Sequence, residues 1–122
     1  MPALNFYARF APGVEDGSKT TSIRARRKDG RDPRPGQTLY LYTGMRQSGC
    51  RKLREAVCES ARDIEIDTDG SVTISNRRLP PAEKELLATG DGFKNFDEMY
   101  DWFREKRGLP FDALLIRWGK AR

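Results

Sequence analysis

The chain contains no histidine, only two cysteines, and no apolar run approaching the roughly 20 residues that a membrane-spanning helix needs. Without histidine it lacks the commonest general base and the commonest zinc ligand, and two thiols cannot complete a four-ligand sulfur site. A structural zinc and a nuclease built on a histidine pair are therefore both excluded, and the reading carries no metal and no cofactor. Met1-Pro2-Ala3-Leu4-Asn5 has neither the basic nor the apolar region of a signal peptide. The expectation is a cytoplasmic protein, away from membranes, with Cys50 and Cys58 reduced.

What is present is charge, distributed unevenly. The net charge is +5, yet the stretch from Lys19 to Arg54 holds eleven Lys or Arg against two acids, Asp29 and Asp32. From Glu55 to Asp101 the balance reverses to twelve acids against five bases. Basic residues on both sides of the aromatic strand around Tyr40 and Tyr42 match the footprint of a polyanion-binding surface, although solvated charge runs are common. Arg26, Arg27, Arg51 and Lys52 are the nucleic-acid contacts this pattern selects. Tyr42 is the aromatic chosen to stack on a base, from a group that also includes Tyr40, Trp102 and Trp118. Arg46, beside it, is chosen to hold phosphate.

At 122 residues the chain fits one domain. Leu4 to Phe10 reads as an opening strand, and Ala11 to Gly17 as a short helical turn closed by glycine. Strands follow over Thr20 to Arg26 and Gln37 to Thr43, the latter with Leu39 and Leu41 opposite Tyr40 and Tyr42. Leu53 to Ile66 and Val72 to Ile74 flank the turn Thr68-Asp69-Gly70-Ser71, where Asp-Gly supplies the positive φ of a tight hairpin. Pro80 and Pro81 open a helix that Gly90-Asp91-Gly92 breaks. Asn95 and Glu98 cap a second helix carrying Phe96, Met99, Tyr100 and Phe103, stopped by Gly108 and Pro110. Phe111 to Trp118 is an apolar final strand.

The run Gly17-Ser18-Lys19-Thr20-Thr21-Ser22-Ile23-Arg24 sets a lysine, a hydroxyl and an arginine behind a glycine. These are a proton acceptor if desolvated, a nucleophile, and a fork for phosphate or carboxylate. In an extended chain Ser22 and Arg24 share one face while Lys19 and Thr21 share the other. The run resembles the G-x-K-x-x-E-x-R signature of the ASCH domain family, with Gly17, Lys19 and Arg24 in place and Ser22 at the glutamate position. A hydroxyl there is similar to the bacterial N4-acetylcytidine amidohydrolase subgroup, in which a threonine occupies that place.

The resemblance covers nearly the whole chain and implies an α+β fold, a PUA-like small β-barrel of five to six strands with two main helices, as one ASCH-like domain over residues 1–122. It implies Lys19 as proton acceptor, Ser22 as nucleophile and Asp91, in the connection before the second helix, as proton donor. Asp91 is one methylene shorter than the glutamate of that subgroup, and Gly-Asp-Gly is also an ordinary turn in which a carboxylate accepts backbone N–H bonds. Arg24 is expected to orient the pocket or bind substrate. The function implied is metal-free hydrolysis of an N4-acylated cytidine-like substrate, the partner being RNA or a modified nucleoside and the default state a monomer. A noncatalytic RNA-binding module and a ribonuclease are the alternatives.

Overall fold

A computed structural model describes residues 2–45 and 48–119. Strands β1 (Ala3–Phe6), β2 (Thr21–Arg24), β3 (Thr38–Thr43), β4 (Arg51–Ile66), β5 (Val72–Ile74), β6 (Arg77–Arg78) and β7 (Phe111–Trp118) combine with helices α1 (Ala11–Asp16), α2 (Pro81–Gly90) and α3 (Phe96–Lys106). The α+β class follows directly. No helix among the described residues is long and apolar enough to cross a membrane.

β4 organises the sheet because its sixteen residues serve two sets of neighbours. Arg51 to Val57 pair antiparallel with β3, and Cys58 to Ile66 pair antiparallel with β7, the register shifting between Cys58 and Ser60. β1 extends one end as a parallel partner of β3, and β2 extends the other as an antiparallel partner of β7. β7 is covered on both faces, with Ala113, Leu114, Leu115 and Ile116 all buried, so its sequence is a continuous apolar run. On β3 the period of two holds: Leu39 and Leu41 are fully buried, each stabilising by roughly 2 kcal/mol.

Two expectations need correction. The first strand ends at Phe6, and Ala8 to Phe10 form a 3-10 turn that runs directly into α1. The apolar residues Phe6 and Phe10 are both buried, but through a bend rather than along one extended face. The sheet is also not a closed barrel of five or six strands: the described residues form seven strands, and β1 and β2 share no ladder. Guanidinium groups bridge the gap instead. Arg24 donates to the carbonyl of Asn5 and Arg27 to that of Ala3, satisfying edge acceptors that a closing strand would otherwise take.

The second long helix starts as its sequence indicates. The Asn95 side chain accepts from the Glu98 N–H at 2.9 Å. The reciprocal bond is displaced by one residue, because the Glu98 carboxylate accepts from Lys94 N–H and also pairs with Arg9. Phe96, Met99 and Phe103 are buried, while Trp102 on the same helix is half-exposed at the edge of the core.

Candidate functional site

Two helix ends deliver the central charged groups. Gly17 adopts the left-handed conformation, φ 86°, that closes α1, and Lys19 N–H then donates to the Gly13 carbonyl at 2.9 Å. At the far end of α2, Asp91 N–H bonds to Leu87 and Ala88 carbonyls, and Gly92 reverses the chain at φ 96°. A Cβ on Gly92 would lie 3.1 Å from the Phe10 ring and 3.2 Å from Lys19 Cδ, so glycine is required both by φ and by the lysine stem passing beside it. Thr20 N–H donates to the Gly90 carbonyl, joining the two ends.

The result is a buried ion pair, Lys19 Nζ to Asp91 Oδ1 at 3.2 Å, with Lys19 also donating to the Asp91 backbone carbonyl. Exposure is 3% for Lys19 and 2% for Asp91. Thr21, on the lysine's side of the strand, donates its hydroxyl to the same carboxylate oxygen at 2.7 Å. Asp91 is thus held by side-chain donors and is not a carboxylate spent on turn N–H groups. Aromatic rings complete the enclosure, with Nζ 4.7 Å from the Phe10 centroid and 5.6 Å from that of Phe6.

Burial pushes the Lys19 ammonium below the usual lysine range, opposed by the Asp91 charge. Burial likewise raises the Asp91 carboxyl, opposed by Lys19 and by the Thr21 hydrogen bond. Burial thus disfavours the charged form of each partner, and the charge of the other restrains both shifts.

Ser22 and Arg24 form a second pair on the neighbouring strand face. Arg24 Nε donates to Ser22 Oγ at 2.7 Å, and its ring contact with Phe6 is 4.8 Å. Burial brings the guanidinium down to about 10, with Asp91 opposing and the cations of Arg107 and Arg27 adding to the shift. It remains charged at neutral pH. No hydrogen bond joins Lys19 to Ser22; each is held by a different partner.

Both pairs face one cavity of about 700 Å³, inside the ~300–1,000 Å³ range of small-molecule sites. Lys19, Ser22, Arg24 and Asp91 line it together. Its remaining walls are aromatic and basic: Phe6, Tyr7, Phe10, Phe93 and Trp102, with Lys106 and Arg107 at the end of α3. Trp102 meets Tyr7, Phe10 and Phe93 at centroid distances of 5.2, 5.2 and 6.0 Å. Arg9 stacks over Phe10, Phe93 and Trp102 from outside.

The other residues selected from the sequence lie elsewhere. Tyr42 does not line the cavity and stands opposite Lys52 in the β3 and β4 register. Arg46 lies outside the described residues. Arg26 is bound by Asp63 and Asp112, Arg51 by Glu15 and Lys52 by Glu55, so these three basic groups are already paired on the surface. Arg27 keeps one bond, to the Ala3 carbonyl.

Sequence reasoning missed Thr21 as a carboxylate partner and missed Tyr7, Phe10, Phe93, Lys106 and Arg107 as walls. Trp102 and Lys106 stand one helical turn apart on α3, with the ammonium 5.2 Å from the indole. That spacing was a readable signal for an aromatic and basic helix face. Compared with family models, curated proteins and solved structures, the chain matches none of them.

Proposed function

We propose that the cavity binds a nucleoside base, free or in RNA, and hydrolyses an N4-acyl amide on a cytidine-like substrate, the chain being a PUA-like domain of the ASCH type. The observation that carries this reading is the buried Lys19 and Asp91 pair facing the same aromatic cavity as Ser22 and Arg24. A planar base suits a wall of Trp102, Phe10 and Phe93, because stacking needs only a π-face.

The chemistry follows from where the protons can sit. Transfer of one proton from Lys19 to Asp91 gives a neutral amine beside a neutral carboxylic acid, the form that burial favours for both. Rotation of the lysine side chain into the cavity brings the amine to Ser22, which gives up its proton as Oγ bonds to the acyl carbon. The Arg24 Nε–H, already directed at Oγ, orients that oxygen and favours loss of its proton, while the negative charge passes to the acyl oxygen. As the carbon–nitrogen bond breaks, Asp91 protonates the departing amine nitrogen and the acyl group is left as an ester on Ser22. Water then attacks that ester, giving its proton to the Asp91 carboxylate, while Lys19 returns a proton to Ser22. Return of one proton from Asp91 to Lys19 then restores the starting ion pair.

A second reading, a noncatalytic RNA-binding module, has one observation in its favour: Lys19 and Ser22 are each engaged with other partners rather than with each other. One experiment separates the two. Wild-type protein releases acetate from N4-acetylcytidine, and Ser22→Ala and Lys19→Ala abolish release while retaining the native circular dichroism spectrum. Binding of RNA that falls with salt, survives Lys19→Ala and is accompanied by no acetate release in the wild type would establish the module instead.

A further inference from the structure

The seam between β1 and β2, where the sheet fails to close, holds a second and smaller cavity of about 170 Å³. Its floor is apolar, formed by Leu4, Leu114 and Ile116, and its rim carries Arg24, Arg27 and Arg107. Arg24 and Arg107 also line the main cavity, so the two hollows share a wall of guanidinium groups. Asp32 is the one acid on the rim, and its Oδ1 accepts from the Arg27 backbone N–H.

Three guanidinium groups crowd this small space with donors to spare. Arg24 uses Nε on Ser22 and one terminal nitrogen on Asn5, leaving its other terminal nitrogen uncommitted among the described residues. Arg27 spends one terminal nitrogen on Ala3. The side chain of Arg107 makes no hydrogen bond or ion pair among the described residues, and its guanidinium lies 5.7 Å from the Phe111 ring centroid. Arg26, Arg51 and Arg77 each hold a carboxylate on the surface, whereas Arg24, Arg27 and Arg107 line one cavity with no ion pair among the described residues. Like charges held together repel, and an anion with several acceptor oxygens relieves that repulsion while using the free donors bidentately.

We infer that the seam is a phosphate subsite adjoining the base cavity, so that the substrate is a nucleotide, carried as a free phosphate ester or as a phosphodiester in RNA, rather than a bare nucleoside. This rests on the proposed base-binding role of the main cavity for the naming of the substrate, but the anion site itself does not. Arg24 then has two duties from one position: its Nε–H is directed at Ser22 and its free end at the phosphate. A bound phosphate would thereby hold the arginine that polarises the serine, coupling recognition of the ester to the reacting hydroxyl.

The test uses the full chain and titration calorimetry at fixed ionic strength, with cytidine, cytidine monophosphates esterified at either ribose end, a short cytidine oligonucleotide and inorganic phosphate as probes. At least one monophosphate or the oligonucleotide is expected to bind about tenfold more tightly than cytidine, the scale of one or two charge-assisted hydrogen bonds. Arg27→Ala, which alters the seam cavity and not the main one, is expected to remove that advantage and leave cytidine binding unchanged. Arg62→Ala, an exposed charge on β4 away from both cavities, is expected to change neither. A free monophosphate and an oligonucleotide binding alike identify the ester group itself as the ligand; preference for the oligonucleotide alone identifies the RNA backbone.

Equal affinity of cytidine and all phosphorylated probes overturns the subsite. So does a loss in Arg27→Ala that affects cytidine and its esters by the same factor, or that Arg62→Ala reproduces. If cytidine fails to bind, inorganic phosphate decides separately: heat of binding that disappears in Arg27→Ala keeps the anion site while the base-binding reading falls, and its absence in the wild type removes the anion site as well.

Discussion

Replacing Lys19 by methionine removes the cation from a fully enclosed carboxylate while keeping most of the side chain's apolar volume. Among the described residues, Asp91 then retains only the Thr21 hydroxyl at 2.7 Å as a side-chain donor. Breaking one side of a buried pair costs about 3–5 kcal/mol, roughly a fifth or more of the ~5–15 kcal/mol stability of an ordinary domain. The cost depends on pH in a definite direction. Burial already raises Asp91 above the ordinary 3.8, and loss of Lys19 removes the main influence holding it down. A carboxyl whose folded value is raised contributes its full share to stability below about pH 3.8 and loses it as pH rises through the folded value. The wild type carries the opposite penalty on its depressed lysine, whose contribution is lost as pH falls through the folded value. Both effects bring variant and wild type together in acid.

Urea unfolding at a series of pH values measures the difference, provided the slope with urea is unchanged. The deficit of Lys19→Met is expected to be about 3–5 kcal/mol at pH 7 and to narrow toward pH 5 by as much as about 1.4 kcal/mol per pH unit. Replacing Asp91 by leucine in the same background is expected to recover most of the loss, because it removes the unpaired carboxylate. A deficit under about 1 kcal/mol at pH 7, or one that is constant with pH, refutes the reasoning.

Gly92→Ala places a Cβ against Phe10 and the Lys19 stem at a positive φ, and is expected to cost at least about 1–3 kcal/mol in urea unfolding and to lower activity with it. Asn95→Ala removes the α3 cap and is expected to cost about 1 kcal/mol with no effect on the main cavity's ligand affinity. Trp102→Ala is expected to weaken nucleoside binding by about 1–3 kcal/mol, measured by calorimetry, whereas Tyr42→Ala leaves it unchanged because that ring lies outside the cavity.

Elements governed by local chemistry were legible in the sequence. The alternation of Leu39 and Leu41 with Tyr40 and Tyr42, the Asp-Gly turn before β5, and the Asn95 cap each act within a few residues, and each stands where the pattern indicates. The β5–β6 hairpin was passed over although its two-residue turn, Ser75-Asn76 with both residues at positive φ, is local and Asn favours that conformation, whereas the 3-10 turn after Phe6 carries no such signature. The open seam was beyond local reasoning too, because two edge strands far apart in sequence are joined by arginine side chains.

For the candidate site, the glycine signature and the acid after α2 singled out Lys19, Ser22, Arg24 and Asp91, and one cavity receives all four. The strand period correctly set Thr21 with Lys19, yet it is the fold that brings Asp91 between them. Charge counting was a poorer guide. It selected Arg26, Arg51 and Lys52, whose carboxylate partners come from other elements or from further along the same strand, and it passed over Lys106 and Arg107. Pairing in space, rather than the number of bases in a segment, decides which cations remain for a ligand.

The proposed hydrolysis turns on transfer of an acyl group from the substrate to Ser22. Intact-protein mass spectrometry after mixing the protein with excess N4-acetylcytidine and quenching in acid reads this directly. The expected species is heavier by one acetyl group, mapped to the peptide carrying Ser22 and absent from Ser22→Ala. Acetate release by the wild type with no adduct at any quench time, together with undiminished release by Ser22→Ala, would contradict it.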